Sequence, residues 1–544
     1  MHVSFQRDAQ GRMTSISDPA GQSYGYGYDG AGDLTSVTLP GVTTPLGYSY
    51  ETQWPHLIHA IQDARGNSAA TASYSPDGRL QTETTAVGDT TRYAYNLSTR
   101  TTTTTNPDLG VETRVYDAYG KLLQETDALN HTTVFTYDAK HQLLTRRNAL
   151  NQLTSYSYDA KGNQTSVTNG ALGTTSTTTY TQYGGPTTIT SMIGITQTIS
   201  YDAAFMPQAI QDAQGTRASF RFDSHGSMLS ATNGAGETTT FTYDAYGNQL
   251  SSTDALQHAT TFRYDTLGRM LTRTDALNHQ TEYAYTTLGH TTAITDADGF
   301  VTSFGYDANG NKIWEQNARN QVTTYSYDDA NRLIQTQFPD GTSIQTTYDF
   351  RGKKLTETNQ RGMRTRWVYD TAGRLTSVTR AEGTPDQATV SYQYNALNER
   401  THVTDARNTT THTVISYNAT THEQQVVVAA PLSQTTTTIF NAAGQRLRQQ
   451  DARLHWTQYQ YDVRGVTTLT TYADSSTTRQ LPDGAGRIVQ ATDQDSKTSS
   501  YGYDAAGRLT SVTNPLNETT SYGYDAANHL TSVTDANGHT TSFG

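Results

Sequence analysis

The sequence predicts an all-β protein built from tandem antiparallel hairpins, and three observations support this prediction. A unit of 21 residues recurs along the chain, and its clearest copy opens at Tyr503 and restarts at Tyr524. Each unit holds two turn signals, at residues 505–507 and 514–517 in this copy. The runs between the turns are rich in Thr, Val and Tyr, which suit a pleated, half-buried surface, and they lack helical periodicity. One unit therefore predicts two short strands and two turns.

The turn residues explain why the chain should reverse direction twice in each unit. The side chain of Asp504 is suited to accept a backbone N–H two residues on, and Gly507 supplies the positive φ of a tight turn. Strict strand alternation would place Leu509 and Val512 on opposite faces unless a bulge intervenes. A parallel β-helix, whose coils have a similar length, is the structural alternative. Tight turns at both ends of each strand pair favour hairpins.

The 21-residue phase extends along the whole chain. Arg7 and Asp8 already align with the opening of a unit, and the phase is unbroken from Tyr201 to Tyr369. Irregular units lie at about 40–74 and 380–440, and we expect longer hairpin loops between Arg380 and Gln434. The sequence therefore predicts a single repeat domain over residues 1–544.

Composition restricts the shape and the class of the protein. Only 34% of the 544 residues are hydrophobic, so several thick cores are excluded, yet 36 tyrosines supply strand-forming residues in phase. The net charge of −12 argues against a nucleic-acid-binding surface. The absence of cysteine excludes disulfides. The sequence shows no signal peptide, and its most apolar run, residues 426–430, is too short to span a membrane.

A sheet of roughly 50 strands is expected to curl, because strand twist accumulates across a wide sheet. If the strands formed an idealised closed shell, its radius would be roughly 22 Å, and its cavity would hold only a small protein domain. This estimate favours a spiral, hollow, open-ended barrel over a sealed capsule.

The repeat unit resembles the YD repeat of Rhs proteins, Tc-toxin shells and teneurins. Its clearest copies lie at residues 369–375, 503–509 and 524–530. The resemblance implies a hollow β-shell that encapsulates a C-terminal toxin domain, works with secretion or delivery machinery, and is secreted or at the cell surface. Several units depart from the Tyr-Asp signature without losing phase: Phe222-Asp223, Tyr285-Thr286, Tyr394-Asn395, Tyr417-Asn418, Phe440-Asn441 and Pro482-Asp483.

Other parts of such toxins are not visible in this sequence. We find no toxin domain, no self-cleavage core and no N-terminal delivery domain, and Asp18-Pro19 matches the ordinary repeat turn instead of a cleavage site. The sequence is therefore expected to be shell alone, with any toxin encoded outside this chain.

The chemical motifs in the sequence have structural explanations. Residues 25–30 match G-x-G-x-x-G, but they lie in a strand–turn–strand unit, not between a strand and a helix. The turn at Asp307 lacks calcium-loop spacing, and His422-Glu423 has no second zinc-binding histidine. The other histidines are expected to be solvated, as at His131, His258, His279 and His539. We predict no catalytic residue, no cofactor and no metal site.

The leading functional hypothesis is a non-catalytic encapsulating scaffold that houses a toxin. An alternative treats the tyrosine rows as a binding surface for cell-surface glycans or proteins, since aromatic faces suit such contacts. An enzyme is the third class, although no catalytic constellation supports it.

Overall fold

The computed structural model describes residues 2–543 of the 544. Within this range the chain forms 51 β-strands in one sheet and one short 3-10 helix. Each strand pairs antiparallel with the strand that follows it, from the first pair to the last. The predicted all-β hairpin architecture is confirmed, and the parallel β-helix alternative is wrong.

The strands of the first third of the chain are β1 Ser4–Arg7, β2 Met13–Ser17, β3 Ser23–Tyr28, β4 Leu34–Thr38, β5 Leu46–Tyr50, β6 Ile58–Gln62, β7 Ser68–Tyr74, β8 Leu80–Thr85, β9 Thr90–Asn96, β10 Thr101–Thr105, β11 Val111–Tyr116, β12 Leu122–Thr126, β13 Thr132–Tyr137, β14 Leu143–Arg147, β15 Leu153–Tyr158, β16 Gln164–Asn169 and β17 Thr174–Tyr180. Those of the second third are β18 Pro186–Thr190, β19 Thr196–Tyr201, β20 Pro207–Asp212, β21 Gly215–Phe222, β22 Met228–Asn233, β23 Thr238–Tyr243, β24 Gln249–Thr253, β25 Ala259–Tyr264, β26 Met270–Thr274, β27 Gln280–Tyr285, β28 Thr291–Thr295, β29 Val301–Tyr306, β30 Lys312–Gln316, β31 Val322–Tyr327, β32 Leu333–Gln337, β33 Ser343–Tyr348 and β34 Lys354–Thr358. Those of the last third are β35 Arg364–Tyr369, β36 Leu375–Arg380, β37 Ala388–Tyr394, β38 Arg400–Thr404, β39 Thr410–Asn418, β40 Glu423–Ala430, β41 Gln434–Phe440, β42 Arg446–Gln450, β43 Trp456–Tyr461, β44 Thr467–Thr471, β45 Thr477–Pro482, β46 Ile488–Thr492, β47 Thr498–Tyr503, β48 Leu509–Thr513, β49 Thr519–Tyr524, β50 Leu530–Thr534 and β51 Thr540–Ser542, and the 3-10 helix is Pro431–Ser433.

A β-bulge recurs where an odd-numbered strand meets the next strand. In the β47–β48 pair, Tyr503 lies opposite Leu509, and the register then shifts so that Thr510 has no residue opposite it. Because a bulge displaces the side-chain alternation by one residue, Leu509 and Val512 both lie on the face of Tyr503. The bulge therefore gives each unit one face that combines tyrosine with aliphatic side chains.

The tyrosine that opens a unit ties its hairpin to the preceding one. The hydroxyl of Tyr524 donates to the carbonyl oxygen of Leu509 at 2.9 Å, and that of Tyr503 donates to Ile488 at 3.0 Å. Each acceptor lies at the bulge of the preceding hairpin, 15 residues earlier. The same bond is made by Tyr28, Tyr137, Tyr158, Tyr201, Tyr243, Tyr285, Tyr306, Tyr327, Tyr348 and Tyr461.

The aspartate after this tyrosine closes the turn, as the sequence predicts. Oδ1 of Asp504 accepts the backbone N–H groups of Ala506 and Arg508, both at 3.0 Å. Nε of Arg508 donates to Oδ2 of Asp504 at 2.7 Å, and its Nη1 donates to the Asp525 carbonyl of the next such turn at 2.8 Å. Burial acts to raise the pKa of Asp504, but these bonds and the charge of Arg508 outweigh it and lower that pKa.

The irregular units contain lengthened strands and seven-residue loops at residues 39–45, 51–57 and 381–387, whereas the turns at 504–508 and 514–518 of a regular unit have five residues. Residues 381–387 form a loop between β36 and β37. Strands β39 and β40 have 9 and 8 residues, whereas β47 and β48 of a regular unit have 6 and 5. The expectation of longer loops between Arg380 and Gln434 therefore holds for residues 381–387. Most of the other residues by which these units exceed 21 lengthen the paired strands.

The sheet is one layer thick and has no continuous apolar core. Among residues 2–543 the buried apolar residues are Ala64, Leu172, Ala381 and Ile439. In the same range, no helix is long and apolar enough to cross a membrane. Stability must therefore come from many local contacts between neighbouring strands, as in other repeat proteins.

The ribbon winds into a spiral whose coils meet through their turns. The turn after β6 contacts the turn after β29, where Nδ2 of Asn309 donates to Oδ2 of Asp63 at 2.6 Å. The turn after β10 contacts the turn after β33, where Nη1 of Arg351 donates to Oδ2 of Asp108 at 2.9 Å. From β6 to β29 and from β10 to β33 the difference is 23 strands. At ~4.8 Å per strand, such a coil has a circumference of about 110 Å and a backbone radius of about 18 Å.

Candidate functional site

We call the line along which successive coils meet the seam. It joins the turns that follow odd-numbered strands, which carry the Tyr-Asp signature, to the turns that follow even-numbered strands one coil earlier. The hydrogen-bonded partners are 243 to 264 residues apart. Seam contacts are made by Pro40, Asp63, Ala64, Arg65, Asn67, Asp108, Ala128, Leu172, Asp212 and Glu237 on the earlier coil and by Thr287, Asn309, Asp329, Arg351, Thr371, His422, Arg464 and Arg487 on the later coil.

Burial in this thin wall is concentrated at the seam. Ala64 is 3% exposed and Leu172 is 7% exposed, and both lie in turns that contact the next coil. Asp63, which is polar, is also buried there. The turns of the two coils cover each other, so the seam excludes water more completely than the faces of the sheet do.

A buried ion pair joins the turn after β20 to the turn after β43, again 23 strands later. Nε of Arg464 lies 3.2 Å from Oδ2 of Asp212. Nε of Arg217 lies 3.5 Å from the same oxygen. Arg464 also donates through Nη1 to the carbonyl oxygen of Gly484. The Asp212 carboxylate is therefore held by one arginine of its own coil and one of the next.

A second arginine spans the seam near the turn after β45. Nη1 of Arg487 lies 2.8 Å from Oε1 of Glu237, and its Nη2 lies 2.6 Å from Oδ2 of Asp483. Burial acts to lower the pKa of Arg487, but its contacts with Asp483 and Glu237 outweigh burial and raise that pKa. The guanidinium thus stays charged while it bridges a carboxylate of its own turn to one of the previous coil.

Amide side chains make the seam contact at the turn after β29. Asn309 accepts the backbone N–H of Ala64 through Oδ1 at 3.0 Å and donates to Asp63 through Nδ2 at 2.6 Å. Burial acts to raise the pKa of Asp63, but the hydrogen bonds from Asn309, Asn67 and Arg65 lower it overall. This carboxylate therefore stays ionised although it is buried.

The backbones approach so closely at one point that only glycine fits. A Cβ atom added to Gly234 would overlap the carbonyl group of Gly484, and one added to Gly484 would overlap that of Gly234. Neither glycine requires a positive φ, so the close approach of the two coils is what excludes a side chain. A cavity of about 620 Å³ lies beside this point and is lined by Gln214 and Asp462 among others. Its lining holds the carboxylates of Asp462 and Asp483 and has no serine, cysteine or histidine.

The motifs singled out in the sequence lie in strands and turns. Gly25 and Gly27 lie within β3, with no helix after them. Asp18 and Asp307 each accept two backbone N–H groups of their own turns, as Asx turns do. His422 contacts the carbonyl of Leu172 across the seam at 2.7 Å. His279 and His539 are exposed, whereas His131 and His258 are half-buried, contrary to the expectation of solvated rings. Each of the four places Nδ1 within 3.1 to 3.2 Å of a turn carboxylate.

The seam is not predicted by the repeat pattern of the sequence. Arg351 and Arg464 occupy the turn position that holds Ala506 in the clearest copy, and this departure from the repeat is the available signal. No spacing in the sequence says which distant turn each arginine meets. The partner depends on the curvature summed over 23 strands.

Comparisons with known proteins agree with this architecture. The family model described as RHS Repeat matches residues 7–44, 116–152, 137–175, 348–385, 483–519 and 503–540. The model described as Teneurin YD-shell matches residues 198–313. No curated protein matches the sequence significantly.

Solved structures with the same fold come from TcdB2-TccC3 proteins. The structure titled TcdB2-TccC3-Cdc42 aligns with a TM-score of 0.62 at 16% identity, over 99% of this chain and 34% of that one. TcdB2-TccC3 without its hypervariable C-terminal region gives 0.60 at 15% identity, with the same coverage. TcdB2-TccC3 gives 0.56 at 13%, over 99% of this chain and 40% of that one. The chain therefore spans 34 to 40% of the length of these proteins, and the likeness is one of fold.

Proposed function

Because the chain belongs to the Rhs/YD-repeat proteins, we propose that it is a non-catalytic encapsulating scaffold, the wall of a container for a toxin domain. The toxin domain is encoded outside this chain, and the container is secreted or displayed at the cell surface together with its delivery machinery. The observation that carries the proposal is the seam. A wall retains a polypeptide only if its coils are joined edge to edge, and the contact between Arg464 and Asp212 is one such joint.

The width of a coil constrains what the wall contains. A backbone radius of about 18 Å leaves a free radius of about 13 Å once side chains of about 5 Å line the inside. A folded domain of about 100 residues has a radius of gyration of about 13 Å, so its outer radius is about 17 Å. Such a domain exceeds the width of the coil, which is narrower than the radius of roughly 22 Å estimated from the sequence for a closed shell that admits a small domain. The cargo is therefore held unfolded or loosely folded.

The use of polar groups also supports a scaffold role. Oδ1 of Asp504 accepts hydrogen bonds from two backbone N–H groups, and its Oδ2 accepts one from Nε of Arg508. Equivalent aspartates at Asp265 and Asp328 make the same three bonds. Carboxylates bound in this way hold turns in place and are not poised for proton transfer.

A protection experiment tests containment. A disordered reporter segment of about 100 residues, which protease cuts readily when it is free, is joined to Gly544 through a flexible linker and exposed to protease. We expect the reporter to survive in the native chain and to be cut once Arg351, Arg464 and Arg487 are changed to alanine. The same triple change at the exposed Arg361, Arg407 and Arg453 is the matched control. Equal cleavage in the native and seam-disrupted chains would refute containment.

A second candidate function, binding of cell-surface glycans, is favoured by exposed aromatic residues on the turns. Tyr119 is 76% exposed and Tyr183 is 68% exposed. Each contacts a neighbouring ring, Tyr119 with His141 at 4.7 Å and Tyr183 with Phe205 at 4.1 Å between centroids. Exposed aromatic faces suit contacts with sugars and with protein partners. A glycan array and a cell-binding assay test this function: loss of signal in a Tyr119→Ala/Tyr183→Ala variant supports it, and no signal from the native chain removes it.

A further inference from the structure

Two histidines face each other in the lengthened part of the sheet. His402 of β38 and His412 of β39 lie directly opposite in the antiparallel register. Their ring centroids are 4.3 Å apart, and the ring planes are inclined by 19°. The residues opposite them on the outer strands are Gln393 and Ala429. Both imidazoles therefore extend from one face of the sheet, and the ladder fixes the distance between their backbones.

The surroundings of this pair leave nitrogen lone pairs available. Nδ1 of His402 lies 3.1 Å from Oγ1 of Thr401. When Nδ1 carries the proton and donates to this hydroxyl, the lone pair is on Nε2, at the far end of the ring. Histidines that ligate a metal through one ring nitrogen commonly donate the N–H of the other nitrogen to an oxygen in this way. His412 is exposed, so ions in solution reach the pair directly.

We propose that His402 and His412 form a two-histidine site for a divalent transition-metal ion, with Cu²⁺ bound most tightly. Two nitrogens that ligate one ion at ~2.0–2.1 Å lie about 3 Å apart. The ring centroids are 4.3 Å apart, so rotation of the two side chains out of the stack brings both Nε2 atoms to one ion without movement of the backbone. Imidazole suits copper, nickel and zinc, and affinity rises toward Cu²⁺ in this series.

Water completes the coordination of such an ion. Within residues 2–543, no group of three or more His, Cys, Asp or Glu residues surrounds a common point. The site is thus bidentate and open. An ion bound there links β38 to β39, next to the longest strands of the sheet. This inference does not depend on the proposed containment function.

The full-length chain, stripped of metal, is titrated with Cu²⁺ and followed by calorimetry and electron paramagnetic resonance. We expect one Cu²⁺ ion to bind tightly to each chain, and its paramagnetic resonance spectrum to show two coordinated nitrogens. His402→Gln or His412→Gln should weaken this binding at least tenfold, and the double variant should abolish it. His258→Gln/His279→Gln is the matched control and should leave it unchanged. Ni²⁺ and Zn²⁺ should bind the same site more weakly.

Two outcomes would overturn the assignment. One is a tightly bound ion that persists in the His402→Gln/His412→Gln variant, which would place the ion on other histidines. The other is a native chain that binds no ion tightly or shows a single coordinated nitrogen. Circular dichroism of each variant establishes that the sheet is retained, so loss of binding is not confused with unfolding.

Discussion

The guanidinium of Arg464 lies 3.2 Å from the carboxylate of Asp212, although 252 residues separate them in the chain. The two side chains are 7% and 0% exposed. One turn of the later coil thereby holds a turn of the earlier coil, 23 strands back. The wall is joined by specific side-chain contacts between turns, in addition to the ladder that runs along the ribbon.

The buried pair gives the first prediction. Arg464→Ala leaves the buried Asp212 carboxylate paired with Arg217 alone, and we expect a loss of about 1.5–3 kcal/mol in local opening free energy. Hydrogen exchange of residues 212–217, where β20 passes into β21, and of the turn at residues 462–466 measures this loss. The exposed pair of Lys497 and Asp495 is the control, because Lys497→Ala should change exchange very little. Equal effects of the two substitutions would contradict a structural role for the seam.

The tyrosine hydroxyl gives the second prediction. Tyr503→Phe removes the bond to the carbonyl of Ile488 and keeps the ring, so we expect a loss of about 0.5–1.5 kcal/mol. Denaturant unfolding or exchange of β46 and β47 measures this loss. Tyr119→Phe at a highly exposed ring is the matched control and should be neutral. A neutral Tyr503→Phe variant would show that the recurring hydroxyl bond does not tie hairpins together.

The sequence predicts the turns and hairpins of this protein, but it does not predict the contacts between coils. Tyr503 and Asp504 predict a hairpin because turn chemistry acts over a few residues, and their 21-residue recurrence predicts the meander. The sequence predicts the bulge at Leu509 only conditionally, because the bulge depends on the register in which β48 pairs with the preceding strand. The meeting of Arg464 with Asp212 depends on the accumulated twist and curvature of 23 strands. No pattern of residues in the sequence specifies this accumulated twist and curvature.

The turn aspartates give the third prediction, a pH dependence. Hydrogen bonds lower the pKa of many of these carboxylates below the ordinary value, as at Asp159, Asp244 and Asp504. A group with a lowered folded-state pKa contributes stability above its unfolded pKa of ~3.9 and loses it as pH falls through the folded value. We therefore expect these groups to leave the free energy of unfolding unchanged between pH 7 and 5 and to reduce it below about pH 4.

Urea unfolding midpoints at pH 7, 5, 4 and 3 measure this dependence. Asp504→Asn keeps one acceptor oxygen but cannot ionise, so the variant should lose less stability on acidification than the native chain. A native chain that loses most of its stability between pH 7 and 5 would show that groups other than the turn aspartates control acid unfolding.

An irregular unit gives the fourth prediction. The hydroxyl of Tyr417 donates to Oε1 of Glu399 at 2.7 Å, where regular units use a backbone carbonyl. Burial, together with this bond and the charge of Glu399, raises the pKa of Tyr417 to about 12. The difference in ultraviolet absorbance between the native chain and Tyr417→Phe should titrate near that value. In a Glu399→Gln background the midpoint should move toward 10, and an unchanged midpoint would exclude Glu399 as a cause.

The most direct test of the spiral is a cross-link between coils. The chain has no cysteine, and Oγ1 of Thr371 donates to the Ala128 carbonyl at 3.3 Å although 243 residues separate them. Ala128→Cys with Thr371→Cys should form an intramolecular disulfide under mild oxidation, detected by mass spectrometry and by faster migration without reductant. Ala128→Cys with Ala506→Cys, a turn of the same kind elsewhere on the wall, should not. Failure of the first pair to link, or equal linking of both pairs, would contradict a wall whose coils meet every 23 strands.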